Sequence, residues 1–110
     1  MNKRLQDSWL KKFIEEAMLN IKEHFQPEKV MIFGSRASGE AREDSDLDII
    51  IVSDVFKGVK FLKRMPMVLK KIKFPKHIDY ICYSPDELER IKNSSSVIKD
   101  ALQNGVEISL

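Results

Sequence analysis

The sequence predicts an α+β domain, α/β-like in its order, with a small mixed β-sheet of three main strands and a short C-terminal strand, packed by helices. Three observations predict it. Apolar residues repeat at three- and four-residue spacing across residues 5–25; three β-branched and aromatic runs occupy residues 29–33, 46–52 and 77–83; and the segments between and after them carry helix start and stop signals. At 110 residues there is room for one domain, 1–110, and one core.

Leu5, Trp9, Leu10, Phe13, Ile14, Ala17, Met18, Ile21 and Phe25 form the stripe of one long amphipathic helix, which Pro27 stops. On such a stripe Trp9 and Phe13 read as core rather than as a base-stacking pair. Residues 29–33 are a strand that ends in the tight turn Gly34-Ser35, and a short helix is expected over 36–41. Glu43-Asp44-Ser45 is turn-like. The second strand, 46–52, loses its alternation towards its end, the mark of a strand buried on both faces. Val59, Leu62, Met65, Leu69 and Ile72 mark a helix over 59–72 that Pro66 should kink or split. A third strand follows at 77–83. Ser84-Pro85-Asp86-Glu87 then supplies an N-cap, a proline in the first turn and a capping-box glutamate. Ser94 to Ser96 should break this helix, 97–102 should resume it, Gly105 should cap it, and 106–108 should be a last short strand.

Composition excludes several classes. Hydrophobic residues at 43% and charged residues at 33% are ordinary for a globular protein, and no repeat or low-complexity tract is visible. The first twelve residues have charge but no apolar run of signal-peptide length, and the longest apolar runs are far short of a membrane span, so no export or membrane insertion is expected. Cys82 is the single cysteine; it rules out an internal disulfide, suits a cytoplasmic location and reads as a small apolar strand residue. The net charge of +2 is unevenly spread, for Lys57, Lys60, Lys63, Arg64, Lys70, Lys71, Lys73 and Lys76 fall in a stretch with no acid, leaving the remainder acidic. That stretch reads either as a solvated helix face or as a contact surface for phosphates, nucleic acid or an acidic partner.

The chemistry lies elsewhere. Side chains alternate along a strand, so Asp46 and Asp48 share a face with their Cα atoms about 6.5 Å apart. Magnesium prefers oxygen ligands and keeps positions for water and substrate phosphate, and a carboxylate pair at the mouth of a strand supplies such ligands. Asp79 sits in another apolar strand, where a carboxylate needs a counter-charge that a bound cation could supply; by itself it reads equally as an exposed strand-end residue. Gly34-Ser35 precedes a helix start, whose free N–H groups attract anions, with glycine permitting close approach and serine adding a hydroxyl. A serine there is alone more often a cap.

Two competing motifs fail on the residues that carry their mechanism. Gly34 and Gly39 have P-loop spacing, but Glu40 and Ala41 stand where its lysine and Ser/Thr belong. Asp44, Asp46 and Asp48 begin a calcium-loop pattern whose required glycine and glutamate are here Ile49 and Val55.

Gly34-Ser35-Arg36-Ala37, Gly39, Ser45-Asp46-Leu47-Asp48 with its apolar strand, and Asp79 together resemble the minimal nucleotidyltransferase domains of the DNA polymerase β superfamily. The likeness extends over nearly the whole chain, to Gly105-Val106 near its end. It implies the nucleotidyltransferase fold, two Mg²⁺ ions held by Asp46 and Asp48, Asp79 completing the catalytic one, and the triphosphate held by Gly34 and Ser35. Arg36 would contact phosphate by resemblance, and by itself reads equally as a surface helix residue; Ser38 replaces an arginine common in the family. The implied reaction is attack by a hydroxyl on the α-phosphate of a nucleoside triphosphate, with release of pyrophosphate.

Larger members add a helical domain; none is expected here, so the site is expected to be open and completed by a partner or acceptor. The chain is similar to the MntA-type antitoxins paired with helical HEPN-type toxins, which implies AMP transfer from ATP to a tyrosine of such a toxin. Two other readings stay open: a module that neutralises its partner by contact alone, with nucleotide binding weak or vestigial, and a transferase acting on a nucleic acid or small molecule.

Overall fold

A computed structural model describes residues 7–42 and 44–110. The chain runs α1 (Ser8–Glu16), α2 (Met18–Phe25), β1 (Lys29–Phe33), α3 (Ser35–Ser38), β2 (Leu47–Val52), a 3₁₀ turn (Asp54–Phe56), α4 (Phe61–Lys71), β3 (Ile78–Tyr83), α5 (Pro85–Ile91), α6 (Ser96–Asn104) and β4 (Val106–Glu107). The four strands form one mixed sheet in the order β3-β2-β1-β4. β1 pairs antiparallel with β2 and β4, and β2 pairs parallel with β3, the connection that α4 makes possible.

Strand alternation assigns the two faces. Val30, Ile32, Leu47, Ile49, Ile51, Ile78, Tyr80 and Cys82 face α1, α2 and α4 in the larger core, whereas Met31, Ile50, Val52 and Tyr83 pack with Leu88, Ile98 and Ala101 of α5 and α6. Central β2 is therefore buried on both sides from Ile49 to Val52, as its unbroken apolar run predicts. Cys82 is buried, and burial pushes its thiol up to about 12.

The expected single N-terminal helix is two helices meeting at Ala17, and Leu5 lies outside the described residues. Ala17 stays in the right-handed region at φ −105° and ψ −29°, and its N–H still bonds Phe13 O, so the chain bends without reversing and the apolar stripe continues through Met18, Ile21 and Phe25. Phe13 is fully buried and Trp9 packs edge-on against Phe74, with Lys12 and Lys76 over its ring. Pro66 does not split α4. The bond it cannot donate would go to the Leu62 carbonyl, and Leu62 is 86% exposed, so water can satisfy that oxygen.

One member of the basic stretch is structural. The Arg64 side chain is buried; its guanidinium forks onto Glu87 at 2.6 and 2.9 Å and donates to Val59 O and Cys82 O, tying α4 to β3 and α5. Glu87 also completes the predicted capping box with Ser84. Lys57 is likewise engaged, with Asp54 and Asp86.

Arg64→Ala should cost about 3–5 kcal/mol in denaturant unfolding, because it strands a partly buried carboxylate and frees two carbonyls; a loss under 1 kcal/mol would refute the assignment. The Arg64 hydrogen bonds, ahead of those from Ser84, hold the Glu87 carboxyl at about 2 against an ordinary 4.5, so its contribution is present above pH 4.5 and is lost as pH falls towards 2. By contrast, the buried Tyr80 hydroxyl has no partner among the described residues, so Tyr80→Phe should leave Tm unchanged or raise it.

Candidate active site

The register of the sheet builds the site. Phe33 of β1 faces Asp48 of β2, and Asp48 faces Asp79 of β3, so the three residues form one row across the sheet. By alternation this row lies on the face covered further along by α5 and α6 (Met31, Ile50 and Tyr83 share its parity), yet Asp48 and Asp79 themselves are only half-buried. Asp46 precedes β2 and is exposed. The acids therefore occupy an open end of an otherwise covered sheet.

Gly34 follows Phe33 directly and takes φ +76°, ψ −159°, a conformation that side chains rarely adopt. A methyl group on it would overlap the Asp48 carboxylate. The glycine thus does two things: it turns the chain out of β1 into α3, and it lets the turn lie against an acid. Ser35 is the first residue of α3, so its amide has no intrahelical carbonyl to bond, whereas the Ala37 and Ser38 amides bond Gly34 O. Beside the turn, Phe33, Gly34, Ser35 and Ser38 line one side of a cleft of about 290 Å³, with Asp100, Ala101, Asn104 and Gly105 on the other. The residues from α6 give no signal in the sequence beyond helical periodicity.

Arg36 is not the surface helix residue of one expectation. Its side chain is buried, donates to Ser45 O at 2.9 and 3.1 Å and to Arg42 O at 2.9 Å, and forms an ion pair with Asp7 at 3.0 Å. Asp7 in turn caps α1 through Leu10 N–H. The guanidinium that could have reached for phosphate is instead committed to the loop that delivers Asp46, and it is no surface residue. The physical reason is the alternative: the carbonyls at 42 and 45 turn inward and need a donor.

His77 was not among the expected site residues. Its Nε2–H donates to Asp79 Oδ1 at 3.0 Å, and ligand-type atoms of Asp46, His77 and Asp79 all lie within 4.8 Å of one another. The alternation rule that paired Asp46 with Asp48 also pairs His77 with Asp79, so the signal was present in His77-Ile78-Asp79. Asp48 stands apart from that group, with its carboxylate turned towards Gly34. Burial, then repulsion from Asp79 and Asp46, raises its pKa, with His77 acting the other way. Converging carboxylates whose charges oppose one another in this way, with an imidazole among them, fit a divalent cation.

A family model described as the nucleotidyltransferase domain matches residues 10–108. No curated protein matches the chain. Among solved structures it is similar to a proposed nucleotidyltransferase from Sulfolobus solfataricus, whose crystal structure was determined at 1.40 Å; the two are 29% identical over 96% of this chain and 81% of that one, with a TM-score of 0.58.

The raised Asp48 pKa has a testable sign. A carboxyl raised by folding favours the folded state below its unfolded value and loses that contribution as pH rises through the folded value. In chelator at pH 7, Asp48→Asn should therefore raise Tm by roughly 1–5 °C, as expected for relief of one partly screened repulsion. A lower Tm would show that the carboxylate is stabilising without a cation.

Proposed function

The chain belongs to the nucleotidyltransferase domain family, and on that footing we propose that it transfers AMP from ATP to a hydroxyl of a protein partner, a tyrosine of a helical HEPN-type toxin, and so acts as its antitoxin. The observation that carries the chemistry is the row Phe33, Asp48, Asp79, which sets the Gly34-Ser35 turn and the acids side by side.

In this reading the turn seats the triphosphate, Gly34 allowing phosphate oxygens to approach the backbone and Ser35 adding its amide and hydroxyl. Asp46, Asp48 and Asp79 would hold two Mg²⁺ ions, which when bound would supply charge neutralisation at the reacting phosphate and the leaving pyrophosphate. Asp48, between the turn and Asp79, is the carboxylate placed to serve both sides. Arg36 positions Asp46 by fixing the loop before it.

Two features support a protein acceptor. The acids lie at an open end of the sheet, where a large substrate can approach, and the cleft beside the turn is at the small end for a ligand site. In addition, α4 exposes Leu62, Phe61 and Leu69 next to Lys63 and Lys70, an apolar strip with a basic border that suits an acidic amphipathic surface. No helix among the described residues is long and apolar enough to cross a membrane.

The reading is tested by incubating the chain with α-labelled ATP, Mg²⁺ and the partner encoded beside it. Label should move to a tyrosine of the partner, and Asp48→Asn should lower the rate by at least about 100-fold, the usual scale for losing a charge stabiliser in a transition state. Neutralisation of the partner by an Asp46, Asp48 double variant would instead establish the contact-only module.

A further inference from the structure

The imidazole at the site is the feature that the proposed magnesium chemistry does not use. We propose that His77 is a direct metal ligand, which together with Asp46 and Asp79 makes one of the two cation positions a mixed nitrogen and oxygen site selective for a first-row transition-metal ion over Mg²⁺. This inference rests on the reading of the acids as a cation site, and it goes beyond that reading by naming a fourth ligand and a different metal class.

The placement of the donors points to it. His77 and Asp79 lie two residues apart at the entrance to β3, so both project to the same face, and both are about half exposed, so neither is occupied by the core. Their Nε2 and Oδ1 atoms are 3.0 Å apart, which matches the separation of two neighbouring ligands around an ion held at about 2.1 Å. Asp46, the residue before β2, brings a third donor within 4.8 Å, held there by the loop that Arg36 clamps. Asp48 is outside this group and faces Gly34. The four side chains thus divide into an Asp46–His77–Asp79 cluster and an Asp48 carboxylate on the side of the glycine turn.

Ligand chemistry then decides the metal. Mg²⁺ prefers oxygen and gives up water reluctantly, whereas imidazole suits the transition ions, whose affinity for such sites rises along the first row. A hydrogen bond alone would be a sufficient reason for His77 to lie near Asp79, and the two roles differ in one observable. A ligating nitrogen is bonded to the metal and exchanges its proton for it; a hydrogen-bonding partner leaves the metal with oxygen donors only.

The test uses Mn²⁺ as a spectroscopic probe on the untagged full chain. Electron spin-echo modulation of bound Mn²⁺ should show a directly coordinated nitrogen, lost in His77→Asn and kept in His24→Asn, which removes the other histidine of the chain. By calorimetry, wild-type protein should bind Mn²⁺ at least about tenfold more tightly than His77→Asn does, since even an outer-shell change commonly costs 10–100-fold, while Mg²⁺ affinity should change less. Mn²⁺ bound through oxygen only, or equal Mn²⁺ affinity in His77→Asn, overturns the inference; the wild-type spectrum decides it even if a variant fails to fold. The outcomes also separate from the transfer reaction. Active transfer with no nitrogen signal leaves the proposed function standing and removes this ligand, whereas a nitrogen signal without transfer does the reverse.

Discussion

The approach of the Asp48 carboxylate to the α-carbon of Gly34 is the contact on which the rest of the site depends. It exists because β1 and β2 are antiparallel neighbours in a register that sets Phe33 against Asp48, and because the next residue carries no side chain. Any other residue at position 34 would have both an unfavourable φ and a collision with the acid. Through that contact the glycine turn and a carboxylate with a raised pKa become one surface. The parallel pairing of β2 with β3 then extends the surface to Asp79, and through the strand entrance to His77.

Holding like charges together requires a stiff frame, and two arginines supply it. Arg36 bridges α1 and the loop before β2, so the position of Asp46 is tied to the N-terminal helix through Asp7. Arg64 joins α4, β3 and α5 through Glu87 and the Cys82 carbonyl, at the opposite end of β3 from Asp79. Both guanidiniums satisfy inward-facing carbonyls with their several donors, which lysine could not do in the same geometry. The open end of the sheet carries the acids, and the clamped elements around it hold the backbone that places them.

Much of this was legible in the residues. The three apolar runs are strands, Ser84 to Glu87 is the helix start it promised to be, and Asp48 lies beside the glycine turn. What escaped reading was decided by contacts distant in sequence. Nothing local shows that Arg36 will meet carbonyls at 42 and 45 and a carboxylate at 7, or that Arg64 within a basic run will be buried against Glu87. Of the two outcomes open to Pro66, a kink or a split, the split does not occur, for α4 runs on from Phe61 to Lys71 with its Leu62 turn exposed to water. His77 differs from these cases, for its pairing with Asp79 follows from strand alternation within His77-Ile78-Asp79.

If the glycine turn and the acids form one nucleotide site, a single ligand should engage both. A crystal structure of the chain with a non-hydrolysable ATP analogue and Mg²⁺ tests it most directly. The triphosphate should lie against the backbone of Gly34 and Ser35, with cations between its oxygens and Asp46, Asp48 and Asp79. A nucleotide bound on the lysines of α4, or one bound at the turn with no cation on the carboxylates, would contradict it.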